Sequence, residues 1–318
     1  MSSLRITQNA MNRTQMAGLN TSLARLQTTQ EHLTTGKRLN RPSDDPVGTV
    51  SAMRFRAEQR ELEQFGENVT DGLARLTAAD DALTQTMPMV HNMRTKTLAA
   101  MNGTLGTQER AAIAAEIREM RAGILQQANS QYAGQPLFGG TTPLPNAFDA
   151  STGEFLGNSI AVLRNVTQAP GAAGQVDVGV KGGEIFGTAL QAPTPPPVPV
   201  VDPPPASSLV APGSIELLAR AIESGDATAM NQGLQDLDNL RDSILDVQAT
   251  VGARSVRLKG LEELNGRQDD ASKIALSKVE DADFLKAAMD LSIQSNAYQA
   301  ALSASAKIIQ PSLMDFLR

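Results

Sequence analysis

Of the 318 residues, 41% are hydrophobic but only 3% aromatic and none is tryptophan. Packing must therefore rest on Leu, Ile, Val, Met and Ala, which suits interlocking helices better than a ring-lined catalytic core. The net charge of -6, without a run of Lys or Arg, argues against nucleic acid as a partner, and the absence of cysteine excludes disulfides, thiol nucleophiles and thiolate metal sites.

The opening residues MSSLRITQNAMNRTQ lack the unbroken apolar core of a cleavable secretory signal, and no stretch approaches the ~20 apolar residues of a membrane span. A soluble chain is expected, one that would leave the cell by another route if it is exported. From Met16 the apolar positions step by three and four through Leu19, Leu23, Leu26 and Leu33, with polar Gln30 between them. This spacing predicts a helix with one narrow coiled-coil seam. Carried backwards, the register places Asn12 and Asn9 on the seam, so the first turns should order only against a partner.

Thr35-Gly36 and the segment Arg41-Pro42-Ser43-Asp44-Asp45-Pro46 end that helix and start another. Each proline biases its predecessor away from helix, Asp45 can cap the next helix, and Pro46 suits its first turn. A second stripe runs through Leu62, Phe65, Val69, Leu76, Leu83, Met87 and Val90, and Pro88 within it should kink or break the helix. After a turn at Asn102-Gly103, Thr107 offers a cap for a third helix carrying Ile113, Ile117, Met120 and Ile124, and the helical part closes near Phe138-Gly139-Gly140.

From about residue 141 to 190 the pattern turns to short runs, and Ser159–Leu163 and Val176–Val180 read as strands of a small β insert. Residues 193–205 hold eight prolines and read as an extended strap returning the chain. Helices resume at Ser214, turn at Gly225-Asp226, and continue through Leu234, Leu237, Ile244, Val247, Val251, Leu258 and Leu261. Near the end, Leu291, Tyr298, Leu302 and Ile309 repeat the coiled-coil spacing of the first helix. Two striped helices at opposite ends read as partners in an assembly subunit.

No constellation of side chains reads as an active site. His32 and His91 have no His or Cys at ligand spacing, so no metal is expected, and the carboxylate pairs Asp44-Asp45, Asp80-Asp81 and Asp269-Asp270 fit caps and polar faces better than general acid/base work. Gly139-Gly140 and Gly182-Gly183 lack a phosphate-loop Lys-Ser/Thr, and no GxSxG or GxGxxG occurs. No cofactor is expected.

The wording of both ends is similar to a known family. LTTGKRLNRPSDDPVGT, NVTDGLARLTAADDALTQ and AMNGTLGTQERAAIAAEI near the start, with VGARSVRL, ALSKVEDADFLKAAMDL and YQAALSASAKIIQPSLMDFLR near the finish, resemble the bacterial flagellin superfamily over roughly three quarters of the chain. Arg41-Pro42-Ser43-Asp44-Asp45-Pro46 and Leu137-Phe138-Gly139-Gly140 resemble its hook-filament junction branch more than its filament-forming flagellins, which remain the alternative. The resemblance implies an extracellular structural subunit of the flagellum, delivered by type III export. Its implied partners are further copies of itself, the neighbouring hook-associated junction protein, flagellin, an export chaperone and the export apparatus.

The expected fold is therefore mainly α: a long antiparallel helical bundle or coiled coil built from both chain ends, with a small central β insert. Its expected parts are a terminal assembly domain (1–45 with 267–318), a helical bundle (46–140 with 213–266), the β insert (141–192) and a proline-rich return linker (193–212).

Overall fold

A computed structural model describes residues 8–102, 105–187, 189–190 and 213–309, with side chains in the terminal helices described from residue 13 to residue 305. The proline-rich segment and the side chain of Ile309 lie outside the described residues. Helices α1 (Gln8–Thr35), α2 (Pro46–Met101) and α3 (Thr107–Ala128) come first. A hairpin of β1 (Gln131–Tyr132) and β2 (Gln135–Pro136) comes next, then strands β3 (Leu163–Asn165) and β4 (Gln175–Asp177) and the short helix α4 (Gly182–Phe186). Helices α5 (Ser214–Ser224), α6 (Ala227–Glu280) and α7 (Phe284–Ile309) complete the chain. The described residues are mainly helical, with only small antiparallel sheets among them.

The chain forms two compact units, residues up to Glu61 with those from Arg267 onward, and Leu62–Gly266; the dividing points fall inside α2 and α6. In the second unit the stripes of the long helices meet. Val69, Leu76, Leu83 and Met93 of α2, Ile117 and Ile124 of α3, Ile215, Leu218 and Ile222 of α5, and Leu237, Ile244, Val251 and Leu258 of α6 are buried in one cluster. Burial of this apolar surface, at roughly 25 cal/mol per Å², is the main stabilising term. The β segments join the same cluster through Phe138, Phe148 and Phe186. The Phe186 ring meets Phe138 edge-on at 5.5 Å and Phe148 at 6.0 Å between centroids.

Helices α3 and α5 pack together, and Arg118 of α3 reaches both Glu216 (3.2 Å) and Glu223 (2.6 Å) of α5. Hydrogen bonding to Glu223 and Glu216 holds the guanidinium well above its ordinary range. Arg75 of α2 is buried and donates to the Pro136 carbonyl at 2.9 Å, which fixes the start of the insert on the helix. Gly140, the last residue of the Leu-Phe-Gly-Gly run, has φ +67°, and a Cβ there would lie 2.3 Å from the Asn158 carbonyl oxygen. Only glycine fits that turn.

Three sequence expectations need correction. Helix α2 runs on through Pro88, so the chain does not break there. Thr84, whose carbonyl the proline cannot serve, and Pro88 are both exposed, so water can satisfy the freed carbonyl. The strands of the insert are shorter and shifted: β3 is Leu163–Asn165 rather than 159–163, and β4 is Gln175–Asp177 rather than 176–180. Asp177 ends the ladder, because its Oδ1 accepts the N–H groups of Val162 (3.1 Å) and Gly179 (2.9 Å). The cap of α3 is Gly106, one residue before Thr107, with its N–H bonded to Glu109 Oε2 at 2.9 Å.

Candidate assembly site

In the first unit, α1 packs on α7. The helices run antiparallel: Thr29 Oγ1 donates to Gln294 Oε1 at 2.9 Å, while Gly36, just beyond α1, accepts from the N–H of Ala282, just before α7, at 2.9 Å. On α1 the predicted seam residues Leu19, Leu23, Leu26 and Leu33 are half-buried, whereas Met16 is exposed. On α7 Ala287 is buried, and Leu291, Gln294, Tyr298, Ala301 and Ser305 continue from it at heptad spacing as half-buried positions, with Ala288, Asp290 and Ser295 half-buried beside them. Leu291 and Tyr298 lie on that stripe; Leu302 is exposed beside it.

Helix α7 also has a second apolar face. Leu285, Met289 and Ile293 step by four and remain 72%, 59% and 63% exposed. At 100° per residue they lie roughly opposite the sheltered stripe. A helix apolar on both sides is normally covered on both. The start of α2 carries a smaller exposed stripe of Val47, Val50 and Met53.

The turn between α1 and α2 is built by its own polar groups. Gly36 takes φ +69° at the end of α1, where a left-handed residue terminates the helix. Asp44 Oδ2 accepts the N–H of Arg41 at 2.8 Å, folding the Arg-Pro-Ser-Asp segment back on itself. Asp45 Oδ1 accepts the N–H of Gly48 at 2.9 Å, and α2 begins at Pro46, so Asp45 caps α2 and Pro46 opens it. That bond from Gly48 holds the Asp45 carboxyl below its ordinary range against some desolvation, with help from Arg38.

This turn is tied to the joint between α6 and α7. The N–H groups of Arg38 (2.7 Å) and Leu39 (3.3 Å) share the Glu280 carbonyl, and Arg38 Nη2 donates to the Val279 carbonyl at 2.8 Å. The Glu280 carboxylate is 3% exposed and pairs with Lys37 and, at 2.6 Å, with Arg56 of α2. Burial alone would push this carboxyl up, yet the two cations outweigh it and hold it below the ordinary glutamate range. The sequence reading missed Glu280, whose only local signal is its place at the end of a long helical stripe.

No group of three His, Asp or Glu residues able to hold a metal ion occurs among the described residues, and no described helix is long and apolar enough to cross a membrane. The site is one of helix faces, caps and ion pairs.

Comparison with known proteins gives this arrangement a context. Residues 6–142 match the model of the bacterial flagellin N-terminal helical region. Over that part the chain is similar to the flagellin superfamily. Flagellar hook-associated protein 3 of Salmonella typhimurium is 26% identical over 311 residues, covering 96% of this chain and 95% of the relative. A flagellin of Clostridium tyrobutyricum is 29% identical over 174 residues, only 53% of this chain and 46% of that one. Among solved structures, a putative flagellar hook-associated protein from Vibrio parahaemolyticus shares the fold. Its TM-score is 0.61 at 18% identity, and the match covers 75% of this chain and all of that one. This flagellin-like chain thus matches a hook-associated relative end to end and a flagellin over about half its length.

Proposed function

We propose that the chain is a structural subunit of the bacterial flagellum, forming the junction between hook and filament on which flagellin polymerises. The observation that carries this reading is the end-to-end match to a hook-associated relative, beside a half-length match to flagellin. The physical arrangement supports it: paired end helices leave an apolar face of α7 exposed, as a subunit that buries surface against neighbours requires. Copies joined head to tail would form the junction layer by heterologous contacts. The predicted seam residues of α1 and α7 and the Arg41–Pro46 turn would position those contacts, with a neighbouring hook-associated protein on one side and flagellin on the other. Delivery to this extracellular site would use the flagellar type III apparatus and an export chaperone.

Deleting the gene and viewing the cells by electron microscopy tests the reading. Hooks without filaments, with flagellin shed into the medium, are expected. Intact filaments would refute the junction role. The alternative of a filament-forming flagellin is separated by seeding: the purified chain should not elongate into long homopolymers.

A further inference from the structure

Glu280 is the point where the two interruptions of the helical ends meet. Its backbone carbonyl receives two N–H groups from the α1–α2 turn, and its buried carboxylate draws in Lys37 from that turn and Arg56 from α2. A carboxylate with 3% exposure needs such partners, because an isolated charge out of water is strongly unfavourable. Both cations are about half-exposed and can be hydrated without it, at 47% for Lys37 and 49% for Arg56. The dependence is therefore one-sided: the cluster holds together through the charge on Glu280.

We propose that Glu280 is a charge-dependent clasp: its carboxylate locks the α1–α2 turn onto the α6–α7 joint, and neutralising it releases the root of the α1–α7 pair without unfolding residues 62–266. The inference concerns the first unit alone and does not depend on which flagellar part the chain forms. The charged groups around the clasp are Lys37, Arg38 and Arg41 from the turn, Arg56 from α2, and Asp281 next in the chain; Arg41, Arg56 and Glu280 line a common small cavity. Asp45, held by Arg38 at 3.5 Å, is a second carboxyl kept low in the folded state. An acid transition of the turn thus has two contributors, and substitution must separate them.

The sign is set by Glu280 being held below its ordinary value in the folded chain. Its contribution is complete above the ordinary glutamate value and is lost as pH falls through the lower, folded one. Amide exchange of the full chain, normalised to intrinsic rates, reads the clasp at Arg38 and Leu39. In Glu280→Gln, of the same shape without the charge, protection at these two amides should fall by about tenfold or more at neutral pH, while the α2, α3 and α6 core keeps its own. The remaining protection should also lose the part of the wild-type acid step that Glu280 contributes, the part that falls below the ordinary glutamate range, and keep only that of Asp45. In Arg56→Met one cation is gone, burial counts for more, and the acid step should move to higher pH. Wild-type protection in Glu280→Gln, or an acid step unchanged in either variant, would overturn the proposal.

Discussion

Asp45 shows how far one residue can be read. Its place before Pro46 at the start of an apolar stripe marks it as a cap, and its Oδ1 accepts the Gly48 N–H as a cap should. Asp45→Ala should lower the melting temperature by a few degrees at neutral pH. Because the carboxyl is held below its ordinary range, its stabilisation is present above that range and is lost as pH falls. The difference between wild type and variant should therefore shrink in acid, and paired thermal melts at neutral and acidic pH check this. Arg75 is the opposite case. Nothing in the sequence separates it from a surface arginine on α2, yet it is buried and serves carbonyls about sixty positions away. Arg75→Met should cost about 2 kcal/mol in denaturant unfolding, because the Pro136 carbonyl loses a charged donor inside the protein. The Asp45 cap is legible because its partner is three residues off. Arg75 and Glu280 are not, because their partners are set by the fold.

At the scale of elements, hydrophobic period decided what could be read. The long stripes of α2 and α6 became buried helix faces because many positions agree on one register, and single exceptions such as Pro88 could not outvote them. The insert offered only short runs, and there one side chain, Asp177, shifted a strand end by competing for backbone donors. The second apolar face of α7 is hidden in the sequence because the single heptad seam already accounts for a helix there. Pro88 gives the element-scale prediction. Proline is disfavoured in a helix interior by about 3 kcal/mol, part of which the exposed position recovers through hydration. Pro88→Ala should therefore raise stability, by about 1 kcal/mol or more, and a higher midpoint in urea would register it. A lower midpoint would mean that the proline stabilises the local geometry of α2.

For the whole molecule the question is which apolar surface holds the subunit together and which holds it to others. Leu291 and Tyr298 face the stripe shared with α1, whereas Met289 and Ile293 are 59% and 63% exposed on the other side of the same helix. Charges placed on the two sides should have separable effects. Leu291→Asp puts a carboxylate between α1 and α7, so exchange protection should fall along both helices even in the isolated chain. Met289→Asp with Ile293→Asp adds charge where the isolated chain meets only water, so helical content and melting should stay close to wild type. If the exposed face is covered in the assembled junction, those same charges would be trapped in apolar contact, and cells carrying the double variant should make hooks but fail to attach filaments. Secretion of the variant into the medium distinguishes this from failed export, and full-length filaments on those cells would mean that the outer face of α7 is not an assembly surface.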